Sequence, residues 1–263
     1  MSALLGVSMR TQRRAVIGWG MGLAAIATMY AAFYPSITAS ASQLEGYMQN
    51  LPDAVRNLIG VDYTSPAGYL RAELFALLGP ILFLVYAIGA GGRAIAGEEE
   101  TRSLDLLLST PLTRTQIVRD KAVALLVAMS CLAGFLLVVM LVIGPPFDLT
   151  VPVGDAAAAC VMLLLLGLAF ASLALAVGCA TGRKTWAYGV TGVIAVATYI
   201  LNVVAPTVSA LAWTRPASPF RWYLEPDPLT TGLHPVNVAV LVGITAVCTA
   251  IGVLSFRRRD VAA

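Results

Sequence analysis

Six apolar runs divide this chain of 263 residues, at 15–34, 73–92, 122–143, 156–180, 186–205 and 236–256. A helix rises about 1.5 Å per residue, so about 20 apolar residues match the ~30 Å hydrocarbon core of a bilayer. Inside that core no water satisfies backbone N–H and C=O groups, so a spanning run must bond within itself as a helix. Only 12% of the residues are charged, about half the share of a soluble domain at about 25%. The fold class that follows is an all-α membrane protein with six transmembrane helices in one domain over residues 1–263. For the first run a cleaved signal peptide is the rival reading, because Ala39-Ser40-Ala41 resembles a cleavage site. The run is long for a signal-peptide core, which favours a span.

The placement of charge orients the bundle. With six spans, one side holds residues 1–14, 93–121, 183–184 and the stretch after 256, and carries thirteen basic residues. The other side holds four: Arg56, Arg71, Arg215 and Arg221. Lys and Arg accumulate on the cytoplasmic side of short loops, so both termini are expected there. Arg257, Arg258 and Arg259 read as a topology anchor rather than a nucleic-acid patch.

Little in the chain suggests catalysis. The cysteines Cys131, Cys160, Cys179 and Cys248 all lie inside apolar runs, with no metal-ligand or disulfide spacing. They read as small hydrophobes. No phosphate-binding Gly-Lys-Ser/Thr loop occurs, so nucleotide binding by that device is excluded. No apolar run holds an acid or base well inside it, which argues against an ion-coupled carrier. Asn202 and Thr198 are the polar residues singled out as candidates to line a path for an amphipathic solute. The sole histidine, His234, falls in an outer connection before Pro235.

The stretch from Gly97 to Pro111 is the most charge-rich block between the runs. As a helix it is amphipathic, with Leu104, Leu107 and Leu108 on one face and Glu98, Arg102 and Asp105 on the other. Glu98 and Arg102 are four apart, in the orientation that favours an ion pair. A segment this charged belongs at a surface, where a soluble partner can grip it. Thr110-Pro111 resembles an N-cap followed by proline at the first helical position, and Thr113 and Gln116 stand at capping-box spacing, so a helix is expected to begin near 111–114 and continue into the third span. Small-xxx-small pairs at Gly18/Gly22 and Gly178/Gly182 suit close helix packing. Residues 43–60 fit an amphipathic helix on the outer surface or an ordinary loop. Residues 207–235, rich in proline and aromatics, fit short helices at the outer interface.

These residues leave three readings open: a subunit driven by a separate ATPase, a secondary transporter or channel not coupled to ATP, and a non-transporting enzyme or scaffold. A resemblance bears on the choice. Ile95-Ala96-Gly97-Glu98-Glu99-Glu100, through Leu106-Leu107-Leu108-Ser109-Thr110-Pro111, to Arg114, Ile117, Val118 and Lys121, closely resembles the cytoplasmic loop of type-2 ABC transporter permeases. Arg102 stands where that family commonly has Gly, and Ser103 and Asp105 replace Thr and Glu. Ser218-Pro219-Phe220, Asp227-Pro228-Leu229 with Gly232, and Phe256 to Asp260 resemble the family's closing pattern.

The resemblance implies a permease subunit, an exporter of an unidentified substrate, multi-pass in a bacterial inner membrane. It implies a second permease copy, or a related permease, and two cytoplasmic ATP-binding cassette subunits. ATP and Mg would bind those partners, with no catalytic residue, cofactor or metal on this chain. Gly97, Glu98, Glu99, Glu100, Arg102, Leu104, Asp105, Leu107 and Leu108 would form the coupling helix set into the ATPase. Residues 1–14 would be an interfacial helix, and 207–235 would form re-entrant helices capping the outer end.

Overall fold

The structure of the chain is a computed structural model that describes residues 3–40, 65–101, 113–206 and 208–259. The described residues are helical, with no strand among them. In chain order the long helices are α1 (Ala3–Ala39), α2 (Pro66–Arg93), α4 (Arg114–Ile143), α5 (Val153–Thr181), α6 (Lys184–Val204) and α9 (Pro235–Arg258). Between α2 and α4 lies the short α3 (Ala96–Glu100). Between α6 and α9 lie a 3-10 turn (Ser209–Ala217), α7 (Pro219–Leu224) and α8 (Pro228–Thr231). All six long helices have the length and hydropathy needed to cross a membrane.

Helix α5 is the axis of the bundle. It is apolar on every side, the pattern of a helix surrounded by others, and packs against α2, α4, α6 and α9. In its most apolar window 72% of the residues are buried, against 11% in α9 and 17% in α6. The α2–α5 contact is close enough that a Cβ on Gly91 would overlap the main-chain carbonyl of Ala171. Small residues permit such approach between spans. Gly18 and Gly22 have nothing within 4 Å of an added Cβ, so among the described residues that pair packs against nothing.

Helix boundaries follow local chemistry. Thr113 caps α4 with both halves of the capping box in place: Gln116 N–H donates to Thr113 Oγ1 at 3.3 Å, and Thr113 N–H to Gln116 Oε1 at 2.8 Å. Helix α2 starts earlier than its apolar run, at Pro66, behind Ser65, whose hydroxyl oxygen accepts from Gly68 N–H at 3.2 Å. Its residues Arg71–Leu78 wind as a π-helix just ahead of Pro80. A local π-turn is one way a helix accommodates a proline that lacks its N–H. Of residues 1–14, expected as an interfacial helix, those from Ala3 onward belong to α1, which runs unbroken into the first span. No Gly or Pro lies between Arg10 and Ile17 to break it. The stretch 43–60 lies outside the described residues.

At one end of the bundle the segment between α6 and α9 is fastened down. Tyr223 Oη donates to the Phe75 carbonyl at 2.9 Å, and Ser218 Oγ to the Thr198 carbonyl at 2.8 Å. Arg71 pairs with Asp227 at 3.3 Å, and Arg215 forks onto both oxygens of Glu225 at 2.8 Å. The opposite end carries the acidic block.

Candidate functional site: an acidic helix clamped to the bundle

Helix α3 is anchored by apolar residues and tied by charged ones. Ile95 and Ala96 are fully buried, and Ala96 sits beside Gly178 of α5. That anchor leaves three consecutive glutamates at the rim, and each meets a different cation.

Glu98 accepts from Lys121 Nζ in the second turn of α4. The lysine side chain is only 8% exposed, and a buried ammonium needs a charged partner to offset its desolvation. Glu99 accepts through both carboxylate oxygens from Arg259, just past the end of α9. The same guanidinium donates to the Cys179 carbonyl at 3.2 Å, near the end of α5. Glu100 takes two bonds from the start of α6: Lys184 Nζ at 3.0 Å and Lys184 N–H at 2.9 Å. Those bonds, the side-chain one foremost, hold the Glu100 carboxyl below its ordinary pKa. Charge-assisted bonds of this kind are stronger than neutral ones.

Two further residues complete the clamp. Arg114 donates to the carbonyls of Phe256, at 3.0 Å, and of Arg259, and lies over the Phe256 ring at 5.6 Å. It fastens the start of α4 to the end of α9. Gly182 ends α5 at φ +68°, and its N–H bonds to the Gly178 carbonyl at 2.8 Å. A Cβ there would lie 2.6 Å from both Glu99 Oε1 and Arg259 Nη2. Only glycine serves both the left-handed turn and the passage of the ion pair.

The three glutamates proposed from sequence are thus brought together, with their carboxylates turned onto the chain's own cations. Gly97 lies at the start of α3, half-buried. Arg102, Leu104, Asp105, Leu107 and Leu108 lie outside the described residues, so the Glu98–Arg102 pair expected from spacing is outside them too. Thr198 donates to the Ile194 carbonyl at 2.7 Å, within its own helix. Asn202 keeps a buried Oδ1 without a hydrogen-bond partner among the described residues. Sequence reasoning missed Lys121, Lys184 and Arg259 as partners of the acids, and Gly182 as the residue that leaves room for the Glu99–Arg259 pair. The available signal was the pairing of a rare lysine and a three-arginine run with three adjacent glutamates.

A family model described as "ABC-2 family transporter protein" matches residues 3–261. None of the curated proteins compared with the chain matches it. With six spanning helices and a match over nearly its whole length, the chain belongs to the ABC-2 transporter family, as a type-2 permease: the membrane subunit of an ABC transporter, not itself catalytic, whose membership implies association with ABC ATPase subunits.

Proposed function

We propose that this permease is an exporter subunit in which α3 and the residues after it, through Leu108, form the coupling segment received by a cytoplasmic ATPase. One observation carries the reading. Helix α3 is joined by ion pairs to the starts of α4 and α6 and to the residue following α9, and through Arg259 to α5. A push on so short an element reaches four spans at once. The apolar face of Leu104, Leu107 and Leu108 is the part that enters a groove of the partner, while Glu98, Glu99 and Glu100 transmit the displacement. ATP and Mg are held by the partner. Two permease copies and two ATPases form the complex, with both termini in the cytoplasm of a bacterial cell and the protein in its inner membrane. The cargo is amphipathic, and Asn202 and Thr198 are the α6 residues assigned to its path.

The test is reconstitution of the permease with its ATPase. Leu107→Asp should abolish complex formation and stimulated ATP hydrolysis. Glu98→Gln with Glu99→Gln should leave the complex assembled but uncouple hydrolysis from transport. Coupled hydrolysis equal to that of the unsubstituted complex in both variants would refute the proposal.

A further inference from the structure

A groove of about 380 Å³ runs between α4, α5 and α9, on a different face from Thr198 and Asn202 of α6. Its volume falls within the ~300–1,000 Å³ of ordinary small-molecule sites. The floor is apolar and buried, formed by Leu168, Ala171 and Leu175 of α5. Hydroxyls in the wall are already committed. Ser172 donates to the Ala169 carbonyl at 2.9 Å, Thr245 to Leu241 at 2.9 Å and Thr249 to Thr245 at 2.7 Å. With their protons bound within their own helices, these residues present methyl and methylene surface to the groove, which therefore suits a hydrocarbon chain rather than a polar solute.

The mouth differs. Thr115 and Arg119 line it from the first turns of α4. The Arg119 side chain is 68% exposed, and its one close carboxylate among the described residues, Asp120, lies 3.7 Å away. That leaves most of its five N–H donors for an anion. Arg257, also exposed, stands four residues beyond Val253 of the groove wall, one turn further along nearly the same line of α9. Arg114 and Arg259 are occupied by carbonyls and Glu99.

The groove therefore has a basic mouth and a dry interior. Along α4, from Thr115 to Leu126, it extends about 16 Å at 1.5 Å per residue, close to the ~15 Å of one hydrocarbon leaflet. Val123 and Leu126 of α4, which line it, are exposed and apolar, so it opens sideways to lipid.

We propose that this groove binds one anionic phospholipid of the leaflet at the charged end of the bundle. The headgroup phosphate lies between Arg119 and Arg257, and an acyl chain lies along α5. Basic recesses between spans are suited to anionic headgroups. The orientation given under the proposed function is needed only to name that leaflet the cytoplasmic one.

Native mass spectrometry of the purified full chain, titrated with phosphatidylglycerol or phosphatidylcholine of equal acyl length, tests this without any ATPase, so its failure is separable from failure of the coupling mechanism. One phosphatidylglycerol should be retained about tenfold better than phosphatidylcholine. Arg119→Gln with Arg257→Gln should erase that preference. Arg258→Gln, which removes the same charge from another face of α9, should preserve it. Ala122→Trp should fill the groove and reduce retention of both lipids. Inorganic phosphate should not displace the lipid. Equal retention of the two lipids by the unsubstituted chain overturns the proposal without recourse to any variant. So does loss of preference in Arg258→Gln, displacement by phosphate, or a dimer that excludes the lipid from the groove.

Discussion

Glu100 of α3 and Lys184 of α6 meet twice, through the ammonium at 3.0 Å and the main-chain N–H at 2.9 Å. The second bond matters as much as the first, because Lys184 N–H belongs to the first turn of α6, where no carbonyl of the helix can accept it. Glu100 thereby caps a helix to which it is not covalently adjacent.

The pH response follows from the lowered Glu100 pKa. A carboxyl depressed in the folded protein contributes its contact fully above the ordinary value of 4.5 and loses it as pH falls through the lower, folded value. Relative to their intrinsic rates, the α3 amides should therefore exchange faster as pH falls below 4.5. Glu100→Gln should remove that added acceleration.

Gly182→Ala should lower thermal stability. The left-handed backbone at φ +68° costs a residue with a Cβ roughly 1–2 kcal/mol, and the new methyl displaces the Glu99–Arg259 pair as well. Gly189→Ala is the control, since nothing lies within 4 Å of a Cβ there. That change in mid-helix should be neutral or stabilising by up to about 1 kcal/mol. Unfolding curves of the two variants in the same detergent decide the matter.

Glu99 and Arg259 should behave as one unit. Their side chains are 17% and 20% exposed, so removing either leaves a largely desolvated charge. A double-mutant cycle of Glu99→Ala and Arg259→Ala should give a coupling of roughly 1–3 kcal/mol. Arg259→Lys should recover only part of it, because an ammonium cannot fork onto the carboxylate and also reach the Cys179 carbonyl.

At the opposite end, Tyr223→Phe removes the bond to the Phe75 carbonyl, a group inside the π-helical part of α2. Burying that hydroxyl's partner unsatisfied should cost about 1–3 kcal/mol. The expected readout is a lower unfolding midpoint together with faster proteolysis in residues 208–235.

Orientation has its own measurement. Trp213 is 80% exposed at the end opposite α3. With the four native cysteines replaced by alanine, Trp213→Cys should react with a membrane-impermeant maleimide added to intact cells. Lys184→Cys should react only after the membrane is opened. The reverse pattern would place α3 on the outer face and remove the basis for a cytoplasmic ATPase.

Much of this molecule is decided by rules that act over a few residues. Apolar length sets the six spans, and the three-residue spacing of Thr113 and Gln116 sets the start of α4. Charge density alone assigns the Gly97–Glu100 block to a surface. The hydropathy of the spans, however, is silent on which helix is central. Lipid and neighbouring helices are equally apolar solvents, so α5 and α9 read alike in sequence while one is enclosed and the other is mostly uncovered within the chain. Tertiary structure alone chose the partner of each glutamate, because Lys121, Lys184 and Arg259 lie 23, 84 and 160 residues from the acids they bind. Coulomb attraction depends on distance in space, and only the packing of α5 against its neighbours brings those helix ends together around α3.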